Sequence, residues 1–156
     1  MVGVSDLKIS NEPGSCLITY SLGSCIGAVA YDPRMRVGGI LHFQLPSWKG
    51  HEDRLKNKPF MFADSGIPLL LKLMEGAGGS RDRMVIGLYG GASILQDNEL
   101  FKIGIQNTRA AKKIFWQQAL KISRMDVGGS HARTVRLDIA TGKVEVSSMG
   151  INLKVG

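Results

Sequence analysis

The chain has 156 residues, 44% hydrophobic and 21% charged, enough apolar material for one globular core and a single domain over 1–156. No run of 18 apolar residues occurs, and the start, MVGVSDLKIS, lacks the basic and apolar regions of a signal peptide. No membrane insertion and a cytoplasmic location are therefore expected, with Cys16 and Cys25 kept as thiols. The absence of any Cys-x-x-Cys or His-x-x-x-His pair argues against a zinc site, and no metal or other cofactor is expected. The net charge of +7 suits an anionic partner, but the basic residues are scattered. Five Phe, three Tyr and two Trp do not interleave with them, so an acidic protein surface is expected rather than nucleic acid.

The first half reads as short strands. CLITY (16–20) is apolar and β-branched. IGAVAYD (26–32) and VGGILHFQL (37–45) flank the Asp-Pro turn signal of DPRMR and read as a β-hairpin. The polar stretch PSWKGHEDRLKNKP (46–59) reads as a long loop suited to a lid or binding role. A helix follows near 64–75, with Ile67, Leu70, Leu71 and Met74 on one stripe, Asp64 or Ser65 as cap, and Pro68 in its first turn. RMVIGLY (83–89) is a strand running into GGAS. A second helix spans about 107–121, with Asn107 or Thr108 as cap and Ala111, Ile114, Phe115 and Ala119 facing inward. The chain closes with the strand ISRMDV, the loop GGSHAR and a hairpin of TVRLDIA and KVEVSSM around Thr141-Gly142. This order describes an α/β protein with helices on a mostly antiparallel or mixed sheet. Glycine pairs at 38–39, 78–79, 90–91 and 128–129 suggest tight loops around a compact site.

Cys25 stands where LGSC gives way to a strand. With the hairpin turn centred near Arg34, Cys25 falls across from His42 or its immediate neighbour, where cross-strand Cβ atoms are ~4.5–5.5 Å apart. A thiol, an imidazole and the exposed backbone of Gly23-Ser24 make a nucleophile, a base and a source of N–H groups for an oxyanion. A base at His42 would lower the thiol pKa and supply thiolate. Thr19, six residues before Cys25, offers a hydroxyl or carbonyl to accept the imidazole N–H. Cys16 reads as a structural core or sheet position, and His51 and His131 as solvated loop histidines. Ser24 and Ser93 lack the Gly-x-Ser-x-Gly frame of a serine nucleophile.

Thr19, LGSC with Cys25, and GGILHFQLP with His42 resemble the CheD family, the chemoreceptor glutamine deamidases of bacterial chemotaxis. The likeness continues through GGAS (90–93), IGIQN (103–107), DVGGSHAR (126–133) and TGKV. It departs at Ser130, where asparagine is commoner, and in the long charged loop at 47–58. The resemblance implies a Cys25-His42-Thr19 triad with backbone support from Ser24 and Gly23. It also implies a three-layer α/β/β sandwich like the deamidating domain of cytotoxic necrotizing factors. The implied activity is thiol-dependent hydrolysis of glutamine side chains on chemoreceptor helices to glutamate and ammonia, with hydrolysis of glutamyl methyl esters beside it. A CheC-type phosphatase is the further partner implied. The competing reading is a binding module for that phosphatase, with catalysis secondary.

Overall fold

Runs as apolar as IGAVAYD and VGGILHF suit strands covered on both faces. In the computed structural model, which describes residues 1–93, 98–148 and 152–155, these runs are β3 (Ile26–Asp32) and β4 (Val37–Phe43), buried at every position. They pair antiparallel in the middle of a five-stranded sheet of order β1-β4-β3-β5-β6, completed by β1 (Asp6–Ser10), β5 (Val85–Gly90) and β6 (Ile122–Val127). Only β5 and β6 run parallel in it. A second, antiparallel sheet has the order β2-β7-β8-β9, from β2 (Cys16–Leu22), β7 (Arg133–Asp138), β8 (Val144–Ser148) and β9 (Asn152–Val155). The expected hairpins both form; Met149, expected in the last one, lies outside the described residues. The fold is thus mixed α/β with two sheets.

Among the described residues, three α-helices complete it: α1 (Glu52–Asn57), α2 (Ala63–Gly76) and α3 (Asn98–Gln117). On α2 the expected stripe of Ile67, Leu70, Leu71 and Met74 is fully buried. Its N-terminus differs from expectation. Phe62 is the cap residue and no side chain caps the helix, so Pro68 falls in the second turn. The Asp64 carboxylate instead accepts bonds from the Ser47 hydroxyl (2.6 Å) and the Trp48 N–H (3.0 Å), pinning the start of the 47–58 segment. That segment holds a short helix rather than an extended loop. The second predicted helix begins earlier than expected, which puts Asn107 in mid-helix and buried rather than at a cap.

Alternation along β3 and β4 sends side chains two ways. Ile26, Ala28, Ala30, Leu41 and Phe43 join a cluster with α2 and α3 residues such as Leu70, Ala111 and Phe115. Val29, Tyr31 and Ile40 join a second cluster with Leu17, Val135, Leu137 and Val146 from the other sheet. Among the described residues no helix is long and apolar enough to cross a membrane.

Asp32 sets the hairpin turn at 33–36. Its carboxylate accepts from the N–H groups of Arg34 (2.9 Å), Met35 (3.2 Å) and Ser80 (2.9 Å), and pairs with the Arg83 guanidinium at 2.8 Å. Burial pushes this carboxyl up, but Arg83 and the three N–H groups outweigh it and hold its pKa at about 2. Asp32→Ala should destabilise the fold by ~1–3 kcal/mol in urea titrations, the usual cost of leaving inward-facing donors without their acceptor. Because the folded pKa lies below the ordinary 3.8, the stabilisation from Asp32 is complete above that value and fades as the pH falls through about 2. The difference in stability between native protein and Asp32→Ala should therefore shrink over that acid range.

Candidate active site

The strand periodicity that buries Leu41 and Phe43 against the helices turns His42, the residue between them, toward the second sheet. Thr19, on β2 of that sheet, points back at it. Both side chains are fully buried, and Thr19 Oγ1 lies 2.7 Å from His42 Nδ1. The contact crosses between the sheets rather than along one, which chain distance does not reveal.

The direction of this hydrogen bond follows from counting protons. A threonine hydroxyl has one hydrogen. Thr19 donates it to the Val2 carbonyl at 2.9 Å, where it has an acceptor and nothing else. Toward His42 the hydroxyl can then only accept, so Nδ1 carries the imidazole hydrogen. Nε2 keeps a bare lone pair, and it is buried with no hydrogen-bond partner among the described residues. That is the tautomer of a general base. Val2 is held in place by its own N–H, which donates to the Ile18 carbonyl at 2.7 Å.

His42 faces Gly27 across the hairpin, and Ile26 faces Phe43. The register is shifted from the expected one because the turn takes four residues, with Arg36 at φ 52. Cys25 sits just before β3, two residues from Gly27 and so on the same face; its side chain packs against the inter-sheet cluster. Cys25 is thus a diagonal neighbour of His42, a relation that typically spans ~7–8 Å between backbones. At Gly27 the absent side chain lets Leu22 and Thr19 pack close against the strand. A Cβ there would stand 3.0 Å from Leu22 Cδ1 and 3.6 Å from the Thr19 methyl.

Burial governs the protonation of both groups. Desolvation raises the Cys25 thiol to about 11, with its own backbone N–H opposing, and lowers His42 to about 4, with the Asp6 charge opposing. At neutral pH the resting site therefore holds a neutral thiol and a neutral imidazole. This reverses the thiolate expected from the sequence.

The turn before Cys25 is held from outside. The carbonyls of Gly23 and Cys25 accept from the N–H groups of Ala92 (2.7 Å) and Gly91 (2.8 Å). The carbonyl of Ser24 accepts from the Asn107 side chain at 2.9 Å. The Gly23 N–H is engaged with the Ser21 carbonyl at 3.0 Å, whereas those of Ser24 and Cys25 donate to no other residue among those described. Asn107 escaped the sequence reading because its spacing suggested a cap. Cys16 does lie in a strand, but on its exposed face. His51 is exposed and stacks on Phe62 with ring centroids 5.7 Å apart, and His131 is exposed in its loop. Among the described residues, no three His, Cys, Asp or Glu side chains are grouped to hold a metal ion.

A thiol and an imidazole on one face of a strand pair, in a mixed α/β fold, is an arrangement that cysteine-dependent acyl-transfer sites use. The family model described as CheD chemotactic sensory transduction matches residues 44–148, and the chain belongs to the CheD family. It is 47% identical over 150 residues to a protein of Syntrophus aciditrophicus (strain SB) named probable chemoreceptor glutamine deamidase CheD 1, covering 96% of this chain and 94% of that one. It is 40% identical to the probable chemoreceptor glutamine deamidase CheD of Solibacter usitatus (strain Ellin6076), covering 96% and 89%. Against the probable chemoreceptor glutamine deamidase CheD 2 of Anaeromyxobacter dehalogenans (strain 2CP-C) it is 41% identical, covering 94% and 92%.

Two measurements check this geometry. Nitrogen-15 shifts of His42 at neutral pH should report a protonated Nδ1 and a bare Nε2, and Thr19→Val should abolish that preference while Thr19→Ser keeps it. With iodoacetamide near neutral pH, the exposed Cys16 should be alkylated ahead of Cys25, and the Cys25 rate should climb with pH toward about 11. Faster labelling of Cys25 at neutral pH would contradict the neutral, half-buried thiol.

Proposed function

We propose that this protein is a thiol-dependent protein-glutamine glutaminase that hydrolyses glutamine side chains of chemoreceptors to glutamate and ammonia in chemotactic adaptation. Cys25 is the nucleophile, His42 the base and then the acid, and Thr19 the group that orients the imidazole. The reading is carried by the 2.7 Å Thr19–His42 contact, which leaves Nε2 unpartnered on the sheet face that Cys25 shares. Membership in a family whose relatives are named as chemoreceptor glutamine deamidases supports the substrate. The two hydrophobic clusters, one toward the helices and one between the sheets, support a three-layer α/β/β sandwich like that of the cytotoxic necrotizing factor domain.

The chemistry follows from the groups present. His42 Nε2 takes the thiol proton as Sγ bonds to the carboxamide carbon, and the C=O electron pair moves onto oxygen. The N–H groups of Ser24 and Cys25 stabilise that oxyanion, a contribution of ~2.7–4 kcal/mol per donor. Gly23 shapes the turn, its own N–H being used by Ser21. The imidazolium then protonates the nitrogen of the tetrahedral intermediate, the C–N bond breaks, and ammonia leaves a thioester on Cys25. With the low pKa that burial imposes on His42, this imidazolium is a strong acid for a poor leaving group. Nε2 next takes a proton from water, hydroxide adds to the thioester, and the thiol is expelled to give glutamate. A glutamyl methyl ester would follow the same course with methanol leaving. Thr19 is neutral, so it holds the ring without the charge stabilisation of a carboxylate.

The cytoplasmic helices of the receptor are the proposed substrate surface, and the protein's net charge of +7 suits their acidic residues. A CheC-type phosphatase is the proposed second partner. A receptor fragment incubated with the protein should gain ~1 Da per converted glutamine, and Cys25→Ala should abolish the gain while leaving phosphatase binding intact. Raising the ionic strength should slow the reaction, as screening weakens docking between exposed charges. Deamidation by Cys25→Ala would remove the assignment.

A further inference from the structure

Asn107 is fully buried in the middle of α3, where a polar side chain has no helix end to cap. Its amide nitrogen makes two bonds, to the Ser24 carbonyl at 2.9 Å and the Gln44 carbonyl at 2.8 Å. This also fixes which way the amide faces, since the flipped form would set its oxygen against two carbonyl oxygens. Ser24 immediately precedes Cys25, and Gln44 follows His42 by two residues. The β3–β4 register ends at Ile26 and Phe43, so beyond that rung the ladder no longer joins the two segments. Two carbonyls that converge repel each other unless one group donates to both, and an –NH2 is the neutral side-chain donor that can do so.

The peptide plane carries this contact into the site. In a trans peptide the carbonyl of one residue and the N–H of the next point in opposite directions. Holding the Ser24 carbonyl on Asn107 therefore sends the Cys25 N–H the other way. Ala92 holds the Gly23 carbonyl and orients the Ser24 N–H by the same logic. The helix that carries Asn107 is itself seated on this turn. A Cβ at Gly104 would stand 2.7 Å from the Gly91 carbonyl oxygen, so the helix can approach this closely only with glycine there.

Resting on the deamidase reading above, we propose that Asn107 is the positioning residue for the oxyanion site. Through the Ser24 carbonyl it aims the Cys25 N–H at the place where the substrate oxygen becomes negative. Through the Gln44 carbonyl it ties that donor to the strand that bears His42.

The test compares native protein with Asn107→Asp, which keeps the shape and loses both donors, and Asn107→Ser, which is smaller, uncharged and too short to bridge the two carbonyls. Deamidation of a receptor fragment is measured beside alkylation of Cys25 by iodoacetamide, both referred to the folded fraction from near-ultraviolet circular dichroism. Alkylation needs the thiol but no oxyanion donor. The expected result is a fall in kcat of ~10²–10³-fold with KM within about twofold, while Cys25 alkylation keeps its pH profile and changes by less than about threefold. Where Asn107→Asp does not fold, Asn107→Ser decides. Unchanged kcat in the folded variant, or a parallel change in both reactions, overturns the role of Asn107. Failure of the native protein to deamidate any receptor fragment overturns the function itself, and so the two failures are told apart.

Discussion

The proton of the Thr19 hydroxyl goes to the Val2 carbonyl, and the Thr19 oxygen is left with only lone pairs to offer His42. Everything the site can do begins there. Had Val2 not taken that proton, the hydroxyl could donate to Nδ1 and the imidazole hydrogen would sit on Nε2, the wrong polarity for the proposed base. The constraint is also architectural. Thr19 and His42 belong to different sheets, so the bond exists only while the two sheets face each other across the cluster of Leu17, Val29, Ile40, Val135 and Leu137. It depends on the β3–β4 register as well, because a slip of one residue would turn His42 toward the helices. Asp32, at the far end of the same hairpin, is what holds the turn that sets this register.

Burial decides how such a site can work. A carboxylate in place of Thr19 would hold the ring equally well and would favour the imidazolium, but an ionised group there would stand in a fully buried position, at a cost of several kcal/mol. The neutral hydroxyl avoids that cost and leaves both reacting groups uncharged at rest. The consequence runs in two directions. In the proposed mechanism the thiol is a weak nucleophile until a substrate is in place. In that mechanism the unsupported imidazolium, once formed, would give its proton up readily, and protonation of nitrogen is the step that amide cleavage most needs.

The parts of this protein that were legible in the sequence are those set by local pattern. IGAVAYD and VGGILHF announced two buried strands, Ile67, Leu70, Leu71 and Met74 announced a buried helix face, and the residues around Cys25, His42 and Thr19 carried a family likeness. What was not legible depends on contacts between distant segments. The inter-sheet path from Thr19 to His42 leaves no periodic trace. Nor does the Val2 carbonyl, since a backbone acceptor has no residue signature. Asp64 looked like a helix cap because carboxylates often are, and only the position of Ser47 and Trp48 shows it bound elsewhere. Asn107 misled in the same way. Cys25 was read as a thiolate because a neighbouring histidine lowers a thiol pKa in water-exposed sites, and desolvation here wins against that tendency.

Chain order divides the labour. Thr19, Cys25 and His42 all precede residue 44, where the match to the family model begins. The matched stretch supplies none of the three, yet it supplies the groups that hold them: Gly91 and Ala92 on the carbonyls of Cys25 and Gly23, Asn107 on those of Ser24 and Gln44, and Val135 and Leu137 on β7, paired beside Thr19 and Leu17 of β2. Three successive carbonyls, 23 to 25, are each taken by a donor from this later part of the chain. Each engaged carbonyl fixes its peptide plane, and so the direction of the N–H that follows it. The later two thirds of the chain thus bear on the proposed site by fixing the peptide planes of the turn before Cys25.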